Sequence, residues 1–121
     1  MTVRHYRDLI AWQKAVDLAV EVYRWTDSFP QRETYGLTQQ MRRAVVSVSS
    51  NIAEGQGRGT TKDFLHFLSI ARGSLQELET QMIIAHRLLF LEDAGKENLF
   101  SLTREIARIL NGLVNSLTTD H

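Results

Sequence analysis

The chain contains no cysteine, one proline and seven glycines in 121 residues. Without cysteine it has neither disulfides nor thiolate metal ligands, which suits a reducing, cytoplasmic setting. So few helix-breaking residues exclude a loop-rich or disordered chain. No stretch approaches the roughly 18 apolar residues of a membrane span. The opening residues, MTVRHYRDLIAW, are basic but hold no uninterrupted apolar core, so neither a signal peptide nor a membrane partner is expected. Neither sign of charge dominates: 14 basic and 14 acidic residues leave a formal net charge of zero. That balance argues against a protein that grips nucleic acid by bulk charge alone.

What the chain does have is apolar periodicity. An apolar content of 43% and a length of 121 residues indicate one domain over residues 1–121. Four helical stretches and no strand are expected. The first runs from about Asp8, as N-cap, to Ser28, with Leu9, Trp12, Val16, Ala19, Tyr23 and Thr26 at three- and four-residue intervals and Pro30 as its stop. A second apolar line, Leu18, Val22, Trp25 and Phe29, lies beside the first. The second helix runs from about Leu37 to Glu54, with Gly55 as a C-terminal glycine. The third starts at Thr60 or Thr61, where Thr60 and Asp63 have capping-box spacing, and reaches about Phe90. Phe64, Leu68, Ala71, Leu75, Leu78, Met82, Ala85 and Leu89 form its seam. The fourth runs from about Lys96 to Leu117, with fraying expected over Thr118 to His121. Short connections make this an all-α, up-down-up-down antiparallel four-helix bundle. The second line of the first helix, and Phe67, Ile70 and Ser74 beside the seam of the third, exceed what a monomer covers and point to a homo-oligomer.

Charge is unevenly spread. Residues 42–72 hold Arg42, Arg43, Arg58, Lys62 and Arg72 against Glu54 and Asp63, and residues 77–105 have an acidic excess. The segment Tyr35–Arg58 is the most distinctive. Gln40, Arg43, Ser47, Asn51 (or Ser50) and Glu54 line one side of the second helix, beside the apolar line Leu37, Met41, Ala44, Val48 and Ile52. Two readings of that polar face stay open. In the first it is a structural network, with Arg43 and Glu54 joining Arg72, Glu77 or Glu79 in buried ion pairs that set register. In the second, Arg42, Arg43, Arg58, Lys62 and Arg72 make a basic surface for nucleic-acid phosphates.

No catalytic site is legible. Gly55-Gln56-Gly57-Arg58-Gly59 is not a Walker loop, since it follows a helix and lacks the Gly-Lys-Ser/Thr ending. It reads as a helix stop and restart whose electropositive end, flanked by Arg58 and Lys62, suits a phosphate. The Glu-x-x-His pairs of a di-metal bundle are missing, and His5, His66, His86 and His121 are scattered, so no metal or other cofactor is expected. Ser47, Ser49 and Ser50 have no histidine at helical spacing. The function expected is non-enzymatic: an oligomeric scaffold for RNA or DNA backbone, or a protein-interaction module.

Several runs carry a resemblance. They are Leu9-x-x-Trp12-Gln13-Lys14-Ala15, Phe29-Pro30-x-x-Glu33-x-Tyr35-Gly36-Leu37-Thr38-x-Gln40, Arg42-Arg43-Ala44, Ser47, Asn51-Ile52-Ala53-Glu54-Gly55 and Gly57-Arg58, with Phe64, Phe67-Leu68, Ile70-Ala71, Gly73-Ser74-Leu75 and Glu77-Leu78-Glu79 further on. The chain resembles the bacterial four-helix-bundle proteins encoded within intervening sequences of 23S ribosomal RNA genes. It is also similar to the accessory proteins of diversity-generating retroelements. The resemblance implies a left-handed bundle in a ring-like homopentamer and makes nucleic-acid association an expectation. It assigns no biochemical activity. The retroelement proteins are strongly basic, whereas this chain is neutral.

Overall fold

The computed structural model describes residues 5–119. They form four helices, α1 (Ile10–Thr26), α2 (Leu37–Gly57), α3 (Thr61–Arg87) and α4 (Asp93–Thr119), with single 3-10 turns at Tyr6–Asp8 and Gln31–Glu33. There is no strand among the described residues. Cross-helix contacts run in opposite senses along the chain. Ser47 meets Ser74 and Gly55 faces Phe67, while Lys14 meets Glu105 and Trp25 meets Asn98, so α2–α3 and α1–α4 are antiparallel pairs. The most extensive packing is between α2 and α3.

The core contains Leu18, Val22, Met41, Val45, Val48, Ile52, Leu68, Leu78, Met82, Leu99, Ile106 and Leu110, all fully enclosed. The α2 line expected from periodicity is buried throughout. In α1 the buried line is Ala11, Ala15, Leu18, Val22 and Thr26. The line through Trp12, Val16 and Ala19 is only half-buried and Tyr23 is exposed, so the wider apolar face of α1 remains open on one side.

Several ends differ from expectation, each for a local reason. Asp8 closes the first 3-10 turn and does not cap α1; Leu9 holds the N-cap position with no side-chain bond. Helix α1 stops at Thr26, before Pro30, where the Thr26 hydroxyl donates to the Val22 carbonyl at 2.7 Å. Thr60 caps α3 as its spacing predicts, its hydroxyl accepting from the Asp63 N–H at 3.2 Å. Helix α3 ends at Arg87, so Leu89 leaves the seam and stands 89% exposed, with a left-handed φ of 65°. Its turn is closed by the Phe90 and Leu91 N–H groups, which both donate to the Ala85 carbonyl, the bonding of a helix end that usually takes glycine. Helix α4 begins three residues earlier than expected, at Asp93, whose charge suits a helix N-terminus. Thr118 and Thr119 are helical; Asp120 and His121 lie outside the described residues.

Gly55 does not end α2. It is buried within the helix, which continues to Gly57. A Cβ at Gly55 would lie 2.7 Å from the Phe67 Cβ and 3.1 Å from the Phe64 Cδ1. The glycine is therefore where α3 comes closest to α2. Gly95 plays the same part between α4 and α1: a Cβ there would lie 2.8 Å from the Trp25 Cε3. The Trp25 indole N–H donates to the Asn98 Oδ1 at 3.0 Å and so fixes that ring.

Gly55→Ala is expected to destabilise the fold by about 1–3 kcal/mol through overpacking. Gly112→Ala, in open space on α4, is expected to stabilise it by up to about 1 kcal/mol through helix propensity. Urea unfolding of the two variants reads the opposite signs.

Candidate functional surfaces

The polar face of α2 divides in two. Its centre is a neutral hydrogen-bonded seam against α3. The Ser47 and Ser74 hydroxyls are 2.9 Å apart, and the Asn51 Nδ2 donates to the Ser47 carbonyl at 2.8 Å and to its hydroxyl at 2.9 Å. Serine is small enough to let the two backbones approach while satisfying its own hydroxyl. The flanks are solvent-facing: Gln40 and Arg43 are exposed, and Glu54 pairs with Arg58 at 2.7 Å, one turn along the same helix. The buried ion pairs with Arg72, Glu77 or Glu79 do not form among the described residues. Serine and asparagine occupy the close contact, and the charged side chains are long enough to reach water.

Seven residues beyond Ser74, on the same side of α3, Gln81 is buried, and its Oε1 has no hydrogen-bond partner. An unsatisfied buried acceptor of this kind costs about 1–3 kcal/mol.

The basic residues fall into separate places. Arg42 is half-buried, with its guanidinium 4.5 Å above the Tyr23 ring, its Nε donating to the Thr26 hydroxyl at 3.0 Å and its Nη2 to the Tyr23 carbonyl at 3.5 Å. It thereby closes the C-terminal turn of α1, where carbonyls lack helical partners and a cation is favoured. Arg43 faces solvent on the next position of α2. Arg58 lies some 15 residues further on, roughly 23 Å along the helix. Its guanidinium sits 5.1 Å over the Phe67 ring and pairs with Glu54. Lys62 and Arg72 are exposed and have no acidic partner within ion-pair distance among the described residues. Arg58 and Lys62 share the end of the bundle where α2 passes to α3. The same turn holds a cleft of about 230 Å³ lined by Gln56, Gly59, Thr60, Thr61 and Phe64. Gly59, with φ of 84°, turns the chain into α3 there.

A second basic run was hidden by its acidic surroundings in the sequence. Lys96, Phe100, Arg104 and Arg108 recur every four residues along α4 and border a groove of about 640 Å³ against Ile83 and His86 of α3. The Arg104 guanidinium stacks 5.4 Å from the Phe100 ring centroid. Their helical spacing was the signal that a simple tally of charges averages away. At one end of the groove the His86 Nε2 is 2.6 Å from the Asp93 Oδ1. This hydrogen bond, and then the charge of His86, holds the Asp93 carboxyl below the usual carboxylate range.

On the opposite side, α1 and α2 border a groove of about 710 Å³ lined by Val16, Ala19, Val20, Tyr23, Arg24, Asp27, Arg42 and Ser49. Through Tyr23 and Arg42 it continues into one of about 490 Å³ beneath Tyr35 and Val46. No group of three or more metal-ligating side chains comes together among the described residues, and no described helix is long and apolar enough to cross a membrane.

Two outcomes follow from these surroundings. Gln81→Met, which removes the orphan acceptor at similar volume, is expected to raise unfolding stability by roughly 1 kcal/mol in urea titrations. Because the folded Asp93 pKa is depressed, its contribution is present above the ordinary carboxylate pKa and is lost as pH falls through the depressed value. Asp93→Asn should therefore lower the Tm at neutral pH, and the difference from the parent should begin to narrow below about pH 4 and close once the depressed value is passed.

The family model described as 23S rRNA-intervening sequence protein matches residues 7–112. A solved structure from Bacteroides thetaiotaomicron, a protein with unknown function from the S23 ribosomal protein family, matches with a TM-score of 0.78 and 20% identity, covering 87% of this chain and 98% of that one. That likeness is one of fold. No curated protein matches the chain. The family match spans all of α1, α2 and α3 and most of α4, including the Arg42-Arg43-Ala44 and Asn51–Gly55 runs that carried the resemblance, and the chain belongs to the 23S rRNA-intervening sequence protein family.

Proposed function

We propose that this protein is a non-enzymatic cytoplasmic scaffold that assembles from copies of itself and holds RNA or DNA by its phosphate backbone. Five copies in a ring is the number that the family resemblance implies, as does the likeness to the retroelement accessory proteins. The observation that carries the reading is the open apolar groove between α1 and α2. Val20, Tyr23 and Val46 stand 41–45% exposed along it, beside Tyr35 at 88%. A folded monomer rarely leaves a contiguous apolar surface uncovered, and a subunit contact is the usual cover.

The nucleic-acid contact is assigned to the end that carries Arg58 and Lys62. Arg58 is stiffened by the Phe67 ring beneath it, and Lys62 lies in the first turn of α3, where backbone N–H groups favour an anion. Glu54 and Asp63 offset part of that charge, so one copy grips weakly. Several copies on one assembly act together through effective concentration, which answers the neutral charge of the single chain. The serines of α2 support a non-enzymatic reading. Ser47 is engaged with Ser74 and Asn51, and the Ser49 hydroxyl donates to the Val46 carbonyl at 3.1 Å, so neither is paired with a base.

The test is a salt titration of binding to a labelled structured RNA and a matched DNA duplex, with mass followed by light scattering. Parent protein should lose affinity by about 0.9 log units per phosphate neutralised for each tenfold rise in salt on duplex DNA. Arg58→Glu with Lys62→Glu should abolish binding and leave the assembly mass unchanged. Unaltered binding by this variant would remove the site assignment. If the parent binds no nucleic acid even at low salt, the second reading stands: a protein-interaction module whose polar seam is purely structural.

A further inference from the structure

We infer that copies of this chain join through two unlike faces, the α1–α2 groove of one copy receiving the outer edge of α3 of the next. The inference rests on the self-assembly reading above and adds the identity of the contact.

Apart from Ile10, Ile83 and Leu89, the large exposed apolar side chains of the described surface fall into two sets. One is the groove set. The other runs along α3: Ile70, Ile84 and Leu88 are each at least 40% exposed. Gly73 and Glu77 fall between them at intervals of three, four, seven and four residues, so all five lie on one line of the helix. Ile70 and Leu88 are then roughly 27 Å apart along the axis. At Gly73 a Cβ would meet nothing within 4 Å, which leaves a low point for a close approach. The line is a ridge, and the α1–α2 surface is a trough. A helix edge with apolar anchors at turn spacing is what such a trough accepts.

The charges match as well. The trough is bordered by Arg24, Arg42 and Arg43; Arg24 pairs with Glu21 at 3.0 Å, which leaves Arg42 and Arg43 against the one lining acid, Asp27. The ridge carries Glu77 near its middle, with no cation within ion-pair distance among the described residues. A ridge facing a second ridge would bring Glu77 near another Glu77, and a trough facing a trough would bring the arginines together. Contact between the two unlike faces avoids both. Such a contact is head-to-tail, because each copy then offers one used and one free face. The faces also lie on adjoining sides of the bundle. The trough is walled by α2, and the ridge flanks Ser74, which is bonded to Ser47 of α2. Successive copies therefore turn with respect to one another and do not stack in a straight line, the geometry from which rings close.

The test uses full-length chains that each lack one face. Val20→Glu disables the trough and Ile84→Glu the ridge; both positions are exposed, and circular dichroism with thermal melting checks the fold. Val46→Asp and Ile70→Asp form a second, independent pair should either of the first fail to fold. By light scattering each variant alone should be monomeric, at 13.9 kDa. A 1:1 mixture should double that mass and go no further, because the one live trough meets the one live ridge. If a single-face variant keeps the parent mass or forms a dimer alone, or if the mixture stays monomeric while the parent assembles, the two-face contact is wrong and self-assembly stands. A parent that is itself monomeric overturns the contact and the assembly together.

Discussion

The close approach of α2 and α3 is the constraint on which the rest of the molecule depends. Two helices come this near only where side chains are small or absent, and the contact is built from such positions. Gly55 lies against Phe67 and Phe64 at one end, and Ser47 faces Ser74 in the middle. Each element of the contact answers a different cost. Glycine removes the steric barrier, and the half-buried serine hydroxyls bond each other. Asn51 occupies the remaining lone pairs of Ser47. Once this pair is set, α1 and α4 complete the bundle by a second close approach, Trp25 over Gly95.

The arginines show how one residue type serves different ends according to its surroundings. Arg42 is committed to the fold, since a guanidinium on Tyr23 and at the α1 terminus is partly desolvated and has little freedom to leave. Arg58 is held extended by Phe67 yet keeps its outer edge toward solvent. Arg43, Arg72 and Lys62 project into solvent. Electrostatic capacity for a phosphate is therefore greatest at the α2–α3 end and along the α4 run, and least at Arg42. The neutral net charge conceals this, although Asp93 and Glu97 line the α4 groove beside Lys96, Arg104 and Arg108 and offset part of its charge.

The excess of apolar surface is what supports the proposed assembly. The α1 line through Val16 and Ala19 stays half-covered and walls a groove, and exposed apolar side chains stand along the edge of α3. A fold of this size has enough core to stand alone, so the open surface is not a shortage of packing partners inside the chain. Repetition of one weak basic end across an assembly is a physical route by which a neutral monomer would hold a polyanion.

Four helices, their order and most of their buried lines were legible in the sequence, because a period of 3.6 residues is written directly into the spacing of apolar side chains. The α2 line, the capping of α3 by Thr60 and the family-bearing runs at Arg42–Ala44 and Asn51–Gly55 are of this kind, each depending on neighbours within a few turns. What the sequence left open depended on neighbours far along the chain. Gly55 looked like a helix stop and is a packing contact, because Phe67 lies across from it on α3. Leu89 continued the seam on paper, but the turn into α4 closes on Ala85 and puts it in solvent. Arg43 and Glu54 sat at positions fit for a buried pair. Which of the two α1 lines is buried, that serines and not charges hold the α2–α3 seam, and that Arg42 is spent on α1 while Arg58 faces outward were decided by the tertiary structure alone, since burial and partners exist only once the helices have met.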